Sequence, residues 1–298
     1  MASRDKAVGI FFLSQTILGI LGNLALLCCL SLSNLSGNKA RPIDLIIKHL
    51  SWANILVLLS KGIPQTMAAF DRTYSLDNSL CKLVFYFHRV ARGVSLGATS
   101  LLSVFQAITI SPINSRWAQL KARVPRIIGP SLGLCWTLYL LINSFLIMIV
   151  TNMNDKGNLT DFRQSLYCVV VKLSKHSYIA YAIILASNDV ICLGLMMWAS
   201  GSMVLTLFQH KQSVKHIHRS LSTKSSPETK ATQRILILVS SFVVLFVTSV
   251  TLMMYFSFQD GTDTWVVNAN VAMSACFPAL CPFLLIRQYT RDLHPCST

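Results

Sequence analysis

Long uncharged runs alternate with short charged ones along this chain. Residues Ala7–Asn38, Gly93–Ser115, Ile127–Asn154, Ile235–Gln259 and Thr264–Ile286 contain no Asp, Glu, Lys or Arg. Two further apolar runs, His49–Phe70 and Ser177–Gln209, carry one internal charge each, Lys61 and Asp189. A helix needs about 20 apolar residues to cross the ~30 Å hydrocarbon core. The pattern therefore predicts seven spanning helices, at about residues 8–30, 43–63, 81–110, 125–150, 177–208, 234–257 and 265–286. The expected fold class is an all-α membrane protein: a seven-transmembrane-helix bundle forming one domain over residues 1–298.

Composition agrees, with 53% apolar residues, 12% charged residues and a mean hydropathy of +0.55. The net charge of +15 would suit a nucleic-acid binder, but its distribution argues for a different origin. The odd-numbered connections and the tail (33–48, 111–126, 209–234, 287–298) hold 15 Lys/Arg against 3 acids. The N-terminus and even connections (1–6, 61–82, 151–176, 258–265) hold 9 against 7. Basic residues in short loops stay cytoplasmic, so the N-terminus is expected outside and the C-terminus in the cytoplasm. The excess charge then reports topology, with attraction to anionic lipid or an acidic partner as a second effect, and no nucleic acid is expected as a partner. The first apolar run is too long for a cleaved signal and should act as an uncleaved anchor. The expected location is the plasma membrane, as a multi-pass protein.

Of nine cysteines, only Cys81 and Cys168 fall on the expected outer side, where disulfides persist, and they are expected to be bridged. Cys28, Cys29, Cys135, Cys192, Cys276 and Cys281 lie in apolar runs, as packing residues. Two sequons occur. Asn158-Leu159-Thr160 lies in the long outer loop and is expected to be glycosylated, whereas Asn34-Leu35-Ser36 faces the cytoplasm and is not.

Several functional classes are poorly served by these residues. A retinal protein needs a Lys in its last helix, and 264–286 has none. Transporters commonly show internal repeats and mid-membrane carboxylates; no repeat is evident, and Asp189 is the only acid deep in a span. His210, His216 and His218 sit in a basic loop without acidic partners, which is a solvated loop rather than a metal site. Neither an enzyme nor a cofactor is expected. A receptor remains, with an outer ligand pocket and an inner face for a heterotrimeric G protein; a small-solute transporter is the less favoured alternative.

Some residues match the broad rhodopsin-like pattern: Gly22-Asn23, Leu50-Ser51-Trp52-Ala53-Asn54, Trp136 and the Cys81/Cys168 pair. Others depart from it. Asn54 stands where that family usually has Asp, and the third helix ends Ala107-Ile108-Thr109-Ile110-Ser111-Pro112 without Asp-Arg-Tyr. The sixth helix has no Pro, and the last reads Phe277-Pro278-Ala279-Leu280-Cys281-Pro282-Phe283. With ILVLLSKGIPQTM at 55–67, LMMWASGSMVL at 195–205 running into Gln209-His210-Lys211-Gln212, and Ser226-Pro227-Glu228-Thr229-Lys230-Ala231-Thr232 before ILILV, the sequence closely resembles the vomeronasal type-1 receptors. That resemblance implies a chemosensory receptor for pheromones coupled to a G protein, of the inhibitory class. Bitter-taste receptors are the nearest alternative of the same architecture. A neutral Asn54 supplies no charge for the sodium ion that the usual Asp anchors.

Ionisable groups inside a span are functional candidates. His88 and Arg92 share a helix face at i,i+4, with Arg89 beside them. In receptors of the resembled architecture that face looks into the pocket. Lys61 lies near the outer end of the second helix, and Asp189 is the alternative internal partner for Arg92. The expected ligand presents a carboxylate, sulfate or carbonyl to His88 and Arg92. Its apolar body would meet Phe85, Val84, Tyr178, Tyr181, Tyr255 and Phe256. On the inner side, Arg116, Lys121, Arg123, Lys211 and Lys215 are expected to face the G protein. The orientation is tested by glycosylation: Asn158→Gln should remove an endoglycosidase-sensitive shift and Asn34→Gln should leave it intact. A glycan on Asn34 would reverse the assigned topology.

Overall fold

The computed structural model describes residues 2–35, 41–71, 74, 76–111, 118–151, 162–164, 168–171, 175–217, parts of 236–251 and 264–293. Its helices are α1 (Ala2–Leu35), α2 (Pro42–Val57), α3 (Ile63–Phe70), α4 (Asn78–Ile110), α5 (Ala118–Asn143), the short α6 (Leu146–Ile149), α7 (Lys175–Ile217) and α8 (Thr264–Leu293). The described positions between 236 and 251 are helical as well. Six helices among the described residues are long and apolar enough to cross a membrane: Lys6–Ser33, Pro42–Phe70, Asn78–Ile110, Lys121–Met148, Ile183–Thr206 and Asn268–Ile286.

The span from α2 to α3 runs on to Phe70 through a π-helical turn, Leu58–Gly62. Proline explains the turn. Pro64 lacks an N–H, and its ring would press on the carbonyl four residues back; one wider turn relieves the clash without ending the helix. The sequence pattern put the end of this helix near residue 63, where the Gly62-Ile63-Pro64 step resembles a stop. Gly62 is required there, because a Cβ would overlap Thr16 Oγ1 on α1.

α4 is the central helix. Leu96, Ala98, Leu102, Ala107 and Ile108 join one core with Leu26 and Leu30 of α1, Ile46, Ile47 and Leu50 of α2, and Val124, Ile128 and Leu132 of α5. Met196, Ala199 and Met203 of α7, Val239, and Phe277, Cys281 and Leu285 of α8 complete it. Near its outer half, α4 meets α5 closely: a Cβ on Gly93 would overlap the Tyr139 ring.

A buried polar hub ties four helices. Asn23 Nδ2 donates to the Gly19 carbonyl at 2.8 Å and the Pro278 carbonyl at 2.9 Å. Asn54 Nδ2 donates to Asn23 Oδ1 at 3.4 Å, and Ser95 Oγ donates to Asn54 Oδ1 at 2.9 Å. Asn23 and Asn54 are wholly buried. The Pro278 carbonyl needs an outside donor, because its helical partner four residues on is Pro282, which has no N–H.

The all-helical pattern has one exception. The connection after α6 carries three short strands, β1 (Val150–Thr151), β2 (Phe162–Gln164) and β3 (Val169–Val171). They form an antiparallel sheet of order β1-β3-β2, with Val150 opposite Val170 and Arg163 opposite the same residue.

The hub predicts a stability difference. Asn23→Ala strips one donor from the Pro278 carbonyl and leaves Asn54 short of an acceptor, a loss of about 1–2 kcal/mol. Asn188, a half-buried amide that bonds only the Ile184 carbonyl of its own helix, is the control. Thermal unfolding of the detergent-purified protein should show a clear drop for Asn23→Ala and little change for Asn188→Ala. Equal midpoints would remove the hub from the account of stability.

Candidate ligand site

The site begins at the disulfide. Cys81 lies in the first turns of α4 and is bonded to Cys168, immediately before β3; both are wholly buried. Asp77 caps α4 by accepting from the Ser79 N–H at 3.3 Å. The bridge fixes the small sheet to the N-terminal end of the central helix. Beneath it lies an apolar layer of Ala68, Leu76, Leu146 and Val150, with Tyr74, Val84, Phe85, Phe145 and Tyr181 packed against it. Phe85 and Tyr181, expected as pocket walls, therefore share one layer under the lid. The Tyr181 hydroxyl donates to Asn143 Oδ1 at 3.2 Å, and its ring tilts against Phe145 at 5.8 Å.

One to three turns further along α4 the environment becomes charged. His88, Arg89 and Arg92 are all half-buried. The π-helical turn brings Lys61 to the same place, within electrostatic reach of all three. Asp189 of α7 faces Arg92 and Arg89. Among the described residues, three cations and a histidine thus lie within electrostatic reach of one another, with one carboxylate in reach of Arg89 and Arg92. His88 Nδ1 is buried without a hydrogen-bond partner among the described residues. Such a layer suits an incoming acceptor or anion, whose binding would offset the mutual repulsion of the cations.

Other residues here carried weak sequence signals. Tyr139 is 4% exposed, and its hydroxyl lies 3.9 Å from Cys192 Sγ, with Cys135 and Asp189 close by. Sequence treated Cys135 and Cys192 as packing residues and missed that Cys192 lies close to both Tyr139 and the Asp189 carboxylate. Asn143 donates to the Tyr139 carbonyl at 2.8 Å while accepting from Tyr181. Gln65 of α3 is 2% exposed and donates to Asn268 Oδ1 of α8 at 2.8 Å. The available signal was the amide itself, since a lone amide in a span requires a partner.

The remaining expectations divide. Tyr255, Phe256, Asn158 and Arg116 lie outside the described residues, as do the side chains of Tyr178, Lys211 and Lys215. Lys121 donates its ammonium to the Ser111 carbonyl just past the end of α4, and Arg123 is exposed on the first turns of α5. Among the described residues no group of three or more His, Cys, Asp or Glu side chains could hold a metal ion.

The sequence profile of the vomeronasal organ pheromone receptor family matches residues 6–297. Vomeronasal type-1 receptor 4 of Pongo pygmaeus is 48% identical over 287 residues, covering 96% of this chain and 95% of the relative. Vomeronasal type-1 receptor 3 of Homo sapiens is 44% identical over 293 residues, covering 98% and 94%. Olfactory receptor class A-like protein 1 of Danio rerio is 31% identical over 280 residues, covering 93% and 88%. Squid rhodopsin superposes with a TM-score of 0.72 over 99% of this chain and 86% of that one; at 12% identity this shows the shared fold alone. Helical bundle, pinned lid and sequence agree: the chain belongs to the vomeronasal type-1 pheromone receptor family.

Proposed function

We propose that this protein is a chemosensory G-protein-coupled receptor of the plasma membrane, which binds a small ligand from the extracellular side and activates a heterotrimeric G protein. Its work is transduction rather than catalysis. The observation that carries the reading is the meeting of Lys61, His88, Arg89 and Arg92 with Asp189 beneath a disulfide-pinned lid. Family membership and the rhodopsin-like fold support the receptor class.

The ligand places an anionic or acceptor group, such as a carboxylate, sulfate or carbonyl, among His88, Arg89, Arg92 and Lys61. Its apolar body lies against Phe85 and Tyr181, with Tyr178 and Tyr255 as further walls. Binding favours the arrangement in which the cations hold the ligand rather than Asp189, and the population shifts towards it. Residues 1–298 act as one seven-helix domain with the N-terminus outside. Arg116, Lys121, Arg123, Lys211 and Lys215 then lie on the cytoplasmic side, where they meet a G protein of the inhibitory class.

The reading is tested by G-protein activation in cells displaying the tagged chain, screened with small volatile and steroid-like compounds. An active compound should lose at least about tenfold in potency against Arg92→Ala at equal surface level, the scale of one charged hydrogen bond. Lys61→Gln should weaken anionic compounds more than neutral ones. Undiminished potency in Arg92→Ala would move the ligand elsewhere, and loss of surface delivery would assign Arg92 to helix packing with Asp189.

A further inference from the structure

On the outer surface of the bundle, away from the charged layer, α2 and α5 enclose a groove of about 500 Å³. His49, Trp52, Ile55, Leu56, Leu59 and Trp136 line it. Trp52 is 56% exposed and Leu59 40%, so the groove opens outward rather than into the core. The Trp136 indole N–H is engaged by His49 Nδ1 at 3.1 Å. The lining is thus nearly all hydrocarbon within a span, and its natural occupant is an apolar chain drawn from the bilayer.

Charge selects which lipid. Lys48 stands four residues before Trp52 on the same face of α2, one turn towards the N-terminal end of the helix. It is half-buried, and no hydrogen bond or ion pair joins it to a described residue. A lysine so placed extends its ammonium along the helix towards the headgroups. Arg126 is exposed on α5, ten residues or about 15 Å before Trp136, towards the same end. The one carboxylate on α2, α3 or α5 is Asp44, which is buried and accepts from the Arg41 N–H at 3.1 Å. Lys48 thus sets one cation at the foot of the groove, with no exposed acid on these helices to neutralise it, while Arg126 lies too far along α5 to share its ligand.

We propose that this groove is a binding site for an anionic phospholipid, one acyl chain lying along Trp52 and Trp136 and the phosphate held by Lys48. With the N-terminus outside, this end of α2 faces the cytoplasmic leaflet, where anionic lipids are enriched. The groove stands apart from the charged layer, so its occupant does not compete with a ligand bound there.

The test uses the full chain in symmetric nanodiscs, where orientation plays no part. Tryptophan fluorescence is quenched with dibrominated phosphatidylglycerol or dibrominated phosphatidylcholine, and the groove component is the difference between parent and Trp52→Phe. The parent should prefer phosphatidylglycerol by about fivefold, the scale of one basic group at a membrane surface. Lys48→Gln should bring the ratio close to one, whereas Lys48→Arg and Arg126→Gln should keep it. A ratio near one in the parent overturns the proposal, as does a preference untouched by Lys48→Gln. Relief of quenching by cholesterol but not by unlabelled phosphatidylglycerol would make the groove a sterol site instead.

Discussion

Every backbone polar group inside a bilayer must find its partner within the protein, and much of this architecture follows from that constraint. Prolines inside spans create the difficulty. Pro282 leaves the Pro278 carbonyl without its helical donor, and Asn23 of α1 supplies one from across the bundle. Once drawn to α8, Asn23 offers its oxygen to Asn54 of α2, which in turn accepts from Ser95 of α4. One missing N–H thus recruits three helices. Pro64 is handled differently: the helix widens into a π turn, and Ser60 Oγ, four residues before the proline, donates back to the Leu56 carbonyl at 2.6 Å. The wider turn carries Lys61 among the α4 cations, so a backbone repair contributes to the chemistry of the pocket.

Above the hub, α4 arranges the site in layers. Cys81 fastens the lid, Val84 and Phe85 meet the apolar layer below it, and His88, Arg89 and Arg92 form the charged layer. Ser95, one turn past Arg92, enters the hub. Burying three cations with a single carboxylate is costly, and the protein sustains it only where other forces over-determine the helix positions. The disulfide, the hub and the close approach of Gly93 to Tyr139 supply that rigidity.

What the sequence revealed is what one-dimensional patterns encode. Apolar runs located six of the seven expected spans among the described residues, because hydrocarbon excludes charge over a fixed thickness. The loop charges left Cys81 and Cys168 as the outer thiols, and the structure bridges them. His88 and Arg92 were visible as ionisable residues on one helix face. Facts of registry between distant segments were not visible. Asp189 was weighed as an internal partner for Arg92, and the two lie within electrostatic reach, though nothing local to α7 requires it. Gln65 and Asn268 are unremarkable apart, being 203 residues distant in sequence, and become a pair only when α3 meets α8. The three strands of the lid are too short to announce themselves, since their pairing rests on the disulfide and on packing over α4. The apolar run was visible to Phe70, but the span was expected to end near 63; that the helix passes Pro64 through a π turn depends on Gly62 fitting against Thr16 of α1, which the local pattern does not carry.

The neutral residue at position 54 fits the charged layer above it. The broad rhodopsin-like pattern usually has Asp there. Asn54 bonds Ser95, and Ser95 is only one helical turn from Arg92. A carboxylate at 54 would face Arg92 across little more than that turn, in surroundings where unit charges interact far more strongly than in water. It would draw the guanidinium down and compete with both Asp189 and an incoming anion. Asn54 keeps the hydrogen bonds that the Pro282 gap demands and adds no charge. Neutral side chains of α1, α2 and α4 thus tie the bundle together, and the α4 cations sit one layer away, within electrostatic reach of Asp189.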